Sequence, residues 1–178
     1  TDVNDGDWYS EYVSYVAANG LMNGVSDDRF DPSGSVSRAM VVTVLYRMAG
    51  SPAVTGETKF TDLTADWYKA AVKWAVDSGV TTGMSETTFA PNAAITREQL
   101  AVMLFRYAQF MKYDTSKRAE LGTFADAGSV SAYARDAMAW ANGTGLITGE
   151  SATALNPAGG SSRAVLATVL TRFAKTIG

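Results

Sequence analysis

The chain has 178 residues, 47% of them hydrophobic, which is enough for a buried core; its net charge of -3 and pI near 4.9 exclude the broad basic field of a nucleic-acid surface, so any anion site must be local. It contains no cysteine and no histidine, which removes disulfides, thiol nucleophiles, imidazole bases and the usual zinc ligands and leaves no cofactor or metal to expect. No apolar run approaches the roughly 20 residues of a membrane span, and Thr1–Asn4 does not read as a signal peptide; since the chain opens directly in a repeat, it is expected to be one module of a larger surface protein whose export signal was removed or lies elsewhere.

In chain order, Trp8, Tyr12, Tyr15 and Val16 share one face at helical spacing and predict a first helix. It ends at Gly20, a residue that readily takes the left-handed conformation of a C-cap. Gly24 follows four residues later, then a polar loop, Ser26–Pro32, with Phe30 as its apolar anchor. Ser37 suits the N-cap of a second helix, whose stripe is Val41, Val44, Leu45, Met48 and Ala49, and the link Gly50–Gly56, with two glycines and a proline, breaks it. The same pattern then returns. A constant offset of 59 places Trp8 on Trp67, Tyr15 on Trp74, Gly20 on Gly79, Gly24 on Gly83, Phe30 on Phe89, Pro32 on Pro91, Arg38 on Arg97 and Arg47 on Arg106. A further 66 places Trp74 on Trp140, Gly79 on Gly145, Gly83 on Gly149, Pro91 on Pro157, Arg97 on Arg163 and Arg106 on Arg172. The units run over 1–53, 54–115 and 116–178, and each reads as helix, turn-rich loop, helix. Three amphipathic stripes that cannot bury themselves alone predict an all-α fold: three helix-loop-helix repeats about a pseudo-threefold axis, with the second helices forming a central three-helix bundle. The link over 114–122 is the expected elaborated region.

The clearest helix start is Ile95–Leu100. Thr96 can cap, Gln99 can close a capping box, and Ile95 with Leu100 makes a hydrophobic staple. Arg97 is left over: a permanent cation at a helix end that already presents positive dipole and unpaired N–H groups, with Arg38 and Arg163 in the same place. Either these arginines grip an anionic ligand, or they pair with an acid of the neighbouring unit. Trp8 and Trp67 either stack on a sugar or pack in the core, and Tyr133 holds their place in the third unit. Gly24, Gly83 and Gly149 either permit positive φ or let a ligand approach the backbone. Asp2, Asp62 and Asp126 open their units and either bind ligand hydroxyls or cap a turn. Arg47, Arg106 and Arg172 lie nine residues after the first arginines, half a turn out of phase near the helix C-terminus, and read as structural. The calcium-loop look of Asp2–Asp7 fails on its glycine position and on Val13 at the twelfth place, and the Gly-xxx-Gly copies lack the apolar helix of a membrane motif.

Taken together, Phe60-Thr61-Asp62, Asp66-Trp67, Gly79 to Gly83, Phe89-Ala90-Pro91 and Ile95-Thr96-Arg97-Glu98, in three tandem copies across essentially the whole chain, strongly resemble the S-layer homology (SLH) domain. The resemblance implies a three-pronged helical spindle that binds secondary cell wall polymers, often pyruvylated, through a Thr-Arg-Ala-Glu segment, and so holds secreted proteins on a bacterial cell wall or S-layer. The chain departs from that segment at its fourth position, which is Met40, Gln99 and Val165, and the third unit departs further with Ser161 at the staple, Tyr133 for tryptophan and Ala132 for aspartate. The functional expectation is a noncatalytic anchor that binds an acidic or pyruvylated cell wall polysaccharide, with neither nucleic acid nor membrane insertion. A helical-repeat scaffold for protein interaction or self-association is the competing reading. An enzyme is disfavoured because Asp62, Asp66 and Glu98 form no unique carboxylate pair.

Overall fold

The repeated stripes fold as helices. The computed structural model describes residues 2–177 and contains α1 (Ser10–Ala18), α2 (Arg38–Met48), α3 (Lys69–Asp77), α4 (Arg97–Phe110), α5 (Arg135–Gly143) and α6 (Arg163–Thr176), with no strand among the described residues. The second helix of each repeat begins at a hydroxyl cap: the Met40, Gln99 and Val165 N–H groups donate to the side chains of Ser37, Thr96 and Ser162 at 3.3, 3.2 and 3.3 Å. Thr96 N–H returns a bond to Gln99 Oε1 at 3.4 Å, closing the expected box, and Ser37 N–H points at the Met40 thioether instead. Gly20, Gly79 and Gly145 take φ of +65°, +75° and +77° just past α1, α3 and α5. Trp67 and Tyr133 sit in 3-10 turns (Asp66–Tyr68 and Ala132–Ala134) ahead of α3 and α5, and Trp8 lies in the turn before α1, so none of these aromatics is on a helical face.

The strongest helix pairs run between repeats. Each second helix takes as its main partner the first helix of the next repeat: α2 packs on α3, α4 on α5, and α6 closes the ring on α1, while α2 and α4 touch lightly. The reason lies at the helix starts. The unpaired N–H groups of each first turn find acceptors in the loop of the following repeat, Arg38, Arg97 and Arg163 donating to the carbonyls of Ala93, Gly159 and Gly34, and Ala39, Glu98 and Ala164 to those of Pro91, Pro157 and Pro32, all at 2.9 to 3.0 Å. Single β-bridges pair Ser37 with Ala94, Thr96 with Gly160 and Ser35 with Ser162. The helix starts are thus drawn together, and further along α4 and α6 touch through Tyr107 and Phe173, within a row of aromatic rings. That row runs Tyr46, Trp74, Tyr107, Phe173, Trp140, Phe105, with neighbouring centroids 5.3 to 6.4 Å apart.

Candidate functional site

The cyclic pairing leaves three surface grooves of one construction, with volumes of about 230, 450 and 230 Å³. Groove 1 lies between Arg38, the Val80–Met84 loop with α4, and Tyr133. Groove 2 lies between Arg97, the 146–150 loop with α6, and Trp8. Groove 3 lies between Arg163, the Met22–Gly24 loop with α2, and Trp67. Each groove thus takes its helix-start arginine from the preceding repeat, its floor from one repeat and its aromatic from the next. The aromatics are open to solvent at 63% for Trp8, 57% for Trp67 and 59% for Tyr133, because the turns that carry them stand outside the helical core.

The helix-start arginines are anchored in the structure rather than extended into it. Nε of Arg38, Arg97 and Arg163 donates to the carbonyls of Phe89, Leu155 and Phe30 in the next repeat at 3.0, 2.8 and 2.7 Å. The guanidiniums of Arg38 and Arg163 lie 4.9 and 4.5 Å from the ring centres of Phe89 and Phe30. Nη2 of Arg97 and Arg163 donates to Thr148 and Asn23 carbonyls, whereas Nη2 of Arg38 is buried with no partner. Arg38 and Arg163 are only 4% and 6% exposed, and no ion pair among the described residues involves any of the three. Neighbouring carbonyls, rather than an acid, offset the cation at the positive helix end. Burial pushes all three pKa values down, yet an arginine stays charged at any physiological pH.

A second arginine completes each groove: Arg106 in groove 1, Arg172 in groove 2 and Arg47 in groove 3. Arg47 and Arg172 donate to the Leu21 and Gly145 carbonyls at 3.1 and 3.2 Å, while Arg106 makes no hydrogen bond or ion pair among the described residues. Sequence reading set these aside because they are half a turn out of phase with the first set. That phase is the signal: each second helix lies between two grooves and gives its first arginine to one and its second to the other. The fourth-position residues Met40, Gln99 and Val165 also line the grooves.

Gly24, Gly83 and Gly149 all line their grooves, and the positive-φ reading holds for Gly83 alone, at +86°. For Gly24 and Gly149 the constraint is close approach: a Cβ would run into the Ser26 and Ser151 carbonyls. Asp2, Asp62 and Asp126 do not line the grooves. Their two carboxylate oxygens accept from paired N–H groups, Phe30 and Asp31, Phe89 and Ala90, Leu155 and Asn156, at 2.7 to 3.0 Å. Asp31, Ala90 and Asn156 have φ of 50° to 58°, so each aspartate clamps a left-handed residue just before the loop proline. These bonds hold the Asp2 and Asp126 carboxyls below the usual range; at Asp62 burial works against them and is outweighed.

Tyr133 carries a support that sequence reading missed. Glu98, buried at the second position of α4, accepts from Ser131 N–H at 3.0 Å, Ser131 Oγ at 2.8 Å and the Tyr133 hydroxyl at 3.3 Å. Ala39 and Ala164 hold that place in the other repeats, which marks Glu98 as singular. Among the described residues no group of three or more acids could hold a metal ion, and no helix is long and apolar enough to cross a membrane.

Fold and grooves define a class first: an all-helical three-repeat module in which every groove is built from all three repeats. The chain belongs to the S-layer homology family, whose domain model matches residues 1–39, 59–101 and 123–164. It is 30% identical over 94% of its length to the surface-layer 125 kDa protein of Lysinibacillus sphaericus, and 30% identical over 96% to an endoglucanase of Bacillus sp. strain KSM-635. It is also 26% identical over 59% of its length to the cellulosome-anchoring protein of Acetivibrio thermocellus. The chain spans only 14%, 18% and 25% of these three proteins, so what it shares with the enzyme among them is a module and not the length of the enzyme.

Proposed function

We propose that this module holds a larger secreted protein noncovalently on a bacterial envelope by binding acidic secondary cell wall polysaccharide in the grooves between its repeats. The observation that carries the reading is the threefold pairing of guanidiniums, Arg38 with Arg106, Arg97 with Arg172 and Arg163 with Arg47, each pair beside an exposed aromatic ring and a glycine-opened stretch of backbone. Two planar cations suit a carboxylate such as a pyruvate ketal, the ring suits a sugar face, and the loop suits its hydroxyls. A surface-layer protein and a cellulosome-anchoring protein among the relatives support the anchoring role. Three modest sites on one polymer add by effective concentration, which makes a firm attachment from weak contacts.

Calorimetry with a pyruvylated wall fragment tests this. Arg106→Ala removes a cation with no structural partner and is expected to weaken groove 1 roughly tenfold with no loss of thermal stability. Arg97→Ala weakens binding and also loosens the joint to the third repeat, since it breaks the bonds to Leu155 and Thr148. Undiminished affinity in both variants, or failure of the module to sediment with protein-free walls, removes the glycan reading.

A further inference from the structure

The three grooves share one backbone frame, and among their lining residues one position puts an acid into a single groove. After each groove glycine the chain makes the same tight turn, Val25 N–H donating to the Arg29 carbonyl, Met84 to Thr88 and Glu150 to Ala154, each at 2.8 Å. The side chains of these three residues therefore leave the backbone in the same direction. In two repeats the side chain is apolar yet exposed, Val25 and Met84; in the third it is an acid, and Glu150 lines groove 2. Its carboxylate is held there by a second departure in the same repeat: Asn156, which replaces Asp31 and Ala90, donates from Nδ2 to Glu150 Oε2 at 2.9 Å.

Charge inside the grooves follows. Groove 2 faces a ligand with Arg97, Arg172 and the carboxylate of Glu150. Grooves 1 and 3 face it with two guanidiniums and no acid in the lining. The acids nearest Arg163 are turned into their own loop, Asp2 by its bonds to Phe30 and Asp31 N–H and Asp31 by the lie of its carboxylate against Gly34. Glu98 sits behind Tyr133 with its oxygens taken by Ser131 and Tyr133.

We infer that Glu150 is a specificity residue that divides the grooves: grooves 1 and 3 take a carboxylate-bearing sugar, and groove 2 takes a neutral segment of the glycan. Met84, in the lining of groove 1, and Val25, at the matching turn next to Gly24 of groove 3, offer apolar surface for the methyl or methylene group beside such a carboxylate, and Glu150 repels the carboxylate itself. The inference rests on the glycan-binding reading above and narrows it to two acid sites of three.

Two of the four tryptophans make grooves 2 and 3 separately readable. Trp8 lies in groove 2 and Trp67 in groove 3, while Trp74 and Trp140 are buried and serve as internal references. In protein labelled with 5-fluorotryptophan and titrated with a hexose methyl glycoside carrying a 4,6-linked pyruvate ketal, the Trp67 fluorine resonance is expected to move at concentrations roughly fivefold below those that move Trp8. E150Q is expected to bring Trp8 to the Trp67 midpoint, and the unmodified neutral glycoside to show no preference for Trp67 in the wild-type chain. Equal midpoints for the two indoles with the acidic sugar, or a Trp8 midpoint unchanged by E150Q, overturns the role of Glu150 and leaves the glycan reading standing. Silence of both indoles toward both sugars overturns the glycan reading and this inference with it.

Discussion

Single residues show where the three copies agree and where one of them has lost something. Val36, Ile95 and Ser161 hold the same place before the cap of α2, α4 and α6, at the centre of the ring where the three helix starts meet. Val36 and Ile95 are completely buried; Ser161 is buried too, and its Oγ has no hydrogen-bond partner. A hydroxyl shut away without a partner keeps its desolvation penalty and gains nothing in return. Ser161→Val copies the side chain of the first repeat at a site whose backbone bond, Val36 N–H to the Ser161 carbonyl at 3.0 Å, does not involve the hydroxyl. It is expected to raise unfolding stability by about 1 to 2 kcal/mol. Urea denaturation of the two chains checks this, with the midpoint moving up and the slope unchanged.

At the scale of elements, the signals that were legible in the sequence are the ones whose partners lie within a few residues. The Thr96 box, the left-handed glycines that end the first helices and the apolar stripes of the second helices are local, and the structure repeats them as read. Which helix each stripe would meet was not legible, because α3 is as well matched to α4 by composition as to α2, and the choice is made by loop carbonyls between 52 and 132 residues away. The same non-locality hid Glu98. Its carboxylate crosses from α4 to the turn before α5, where the third repeat has Ala134 in place of Tyr68, whose hydroxyl accepts from Thr64 and Ala65 N–H in the second repeat. Glu98 thus supplies from a neighbouring helix the acceptor that the turn lacks. Glu98→Ala leaves the Ser131 N–H and hydroxyl without their acceptor and is expected to cost about 1 to 3 kcal/mol. Glu98→Gln keeps an acceptor and removes the charge, so the Tyr133 phenol, held above its ordinary value of 10.0 by burial and by the Glu98 charge and bond, is expected to titrate at lower pH. Ultraviolet titration of the phenols reads that shift, and an unmoved Tyr133 would mean that burial alone sets it.

For the whole molecule, the consequence of the offset pairing is that no repeat is a folding unit. A second helix buries its stripe on the first helix of the next repeat, and the last repeat buries its own on the first: α6 meets α1, with Thr171 Oγ1 reaching the Tyr12 carbonyl at 3.4 Å and Lys175 Nζ lying 3.3 Å from Glu11 Oε1. The grooves inherit this closure, since groove 2 takes its aromatic, Trp8, from the segment that α6 holds in place. Where the chain is cut is then less important than whether the ring closes. Two constructions separate these quantities. Deleting residues 1–24 strips α1 from α6, with the contacts of Thr171 to Tyr12 and Lys175 to Glu11, and is expected to abolish cooperative unfolding of the remainder. A permutant that begins at Val25 and carries residues 1–24 after Gly178, joined by a flexible linker the length of residues 49–59, restores the α1 and α6 pairing as an ordinary hairpin of the kind made by α2 and α3. It is expected to unfold in one transition, read alike by near-ultraviolet and far-ultraviolet circular dichroism, and to return the Trp8 response to glycan. A deletion chain that still unfolds in a single sharp transition would show that the first two repeats and the third close without α1, and the ring would not be the unit of stability.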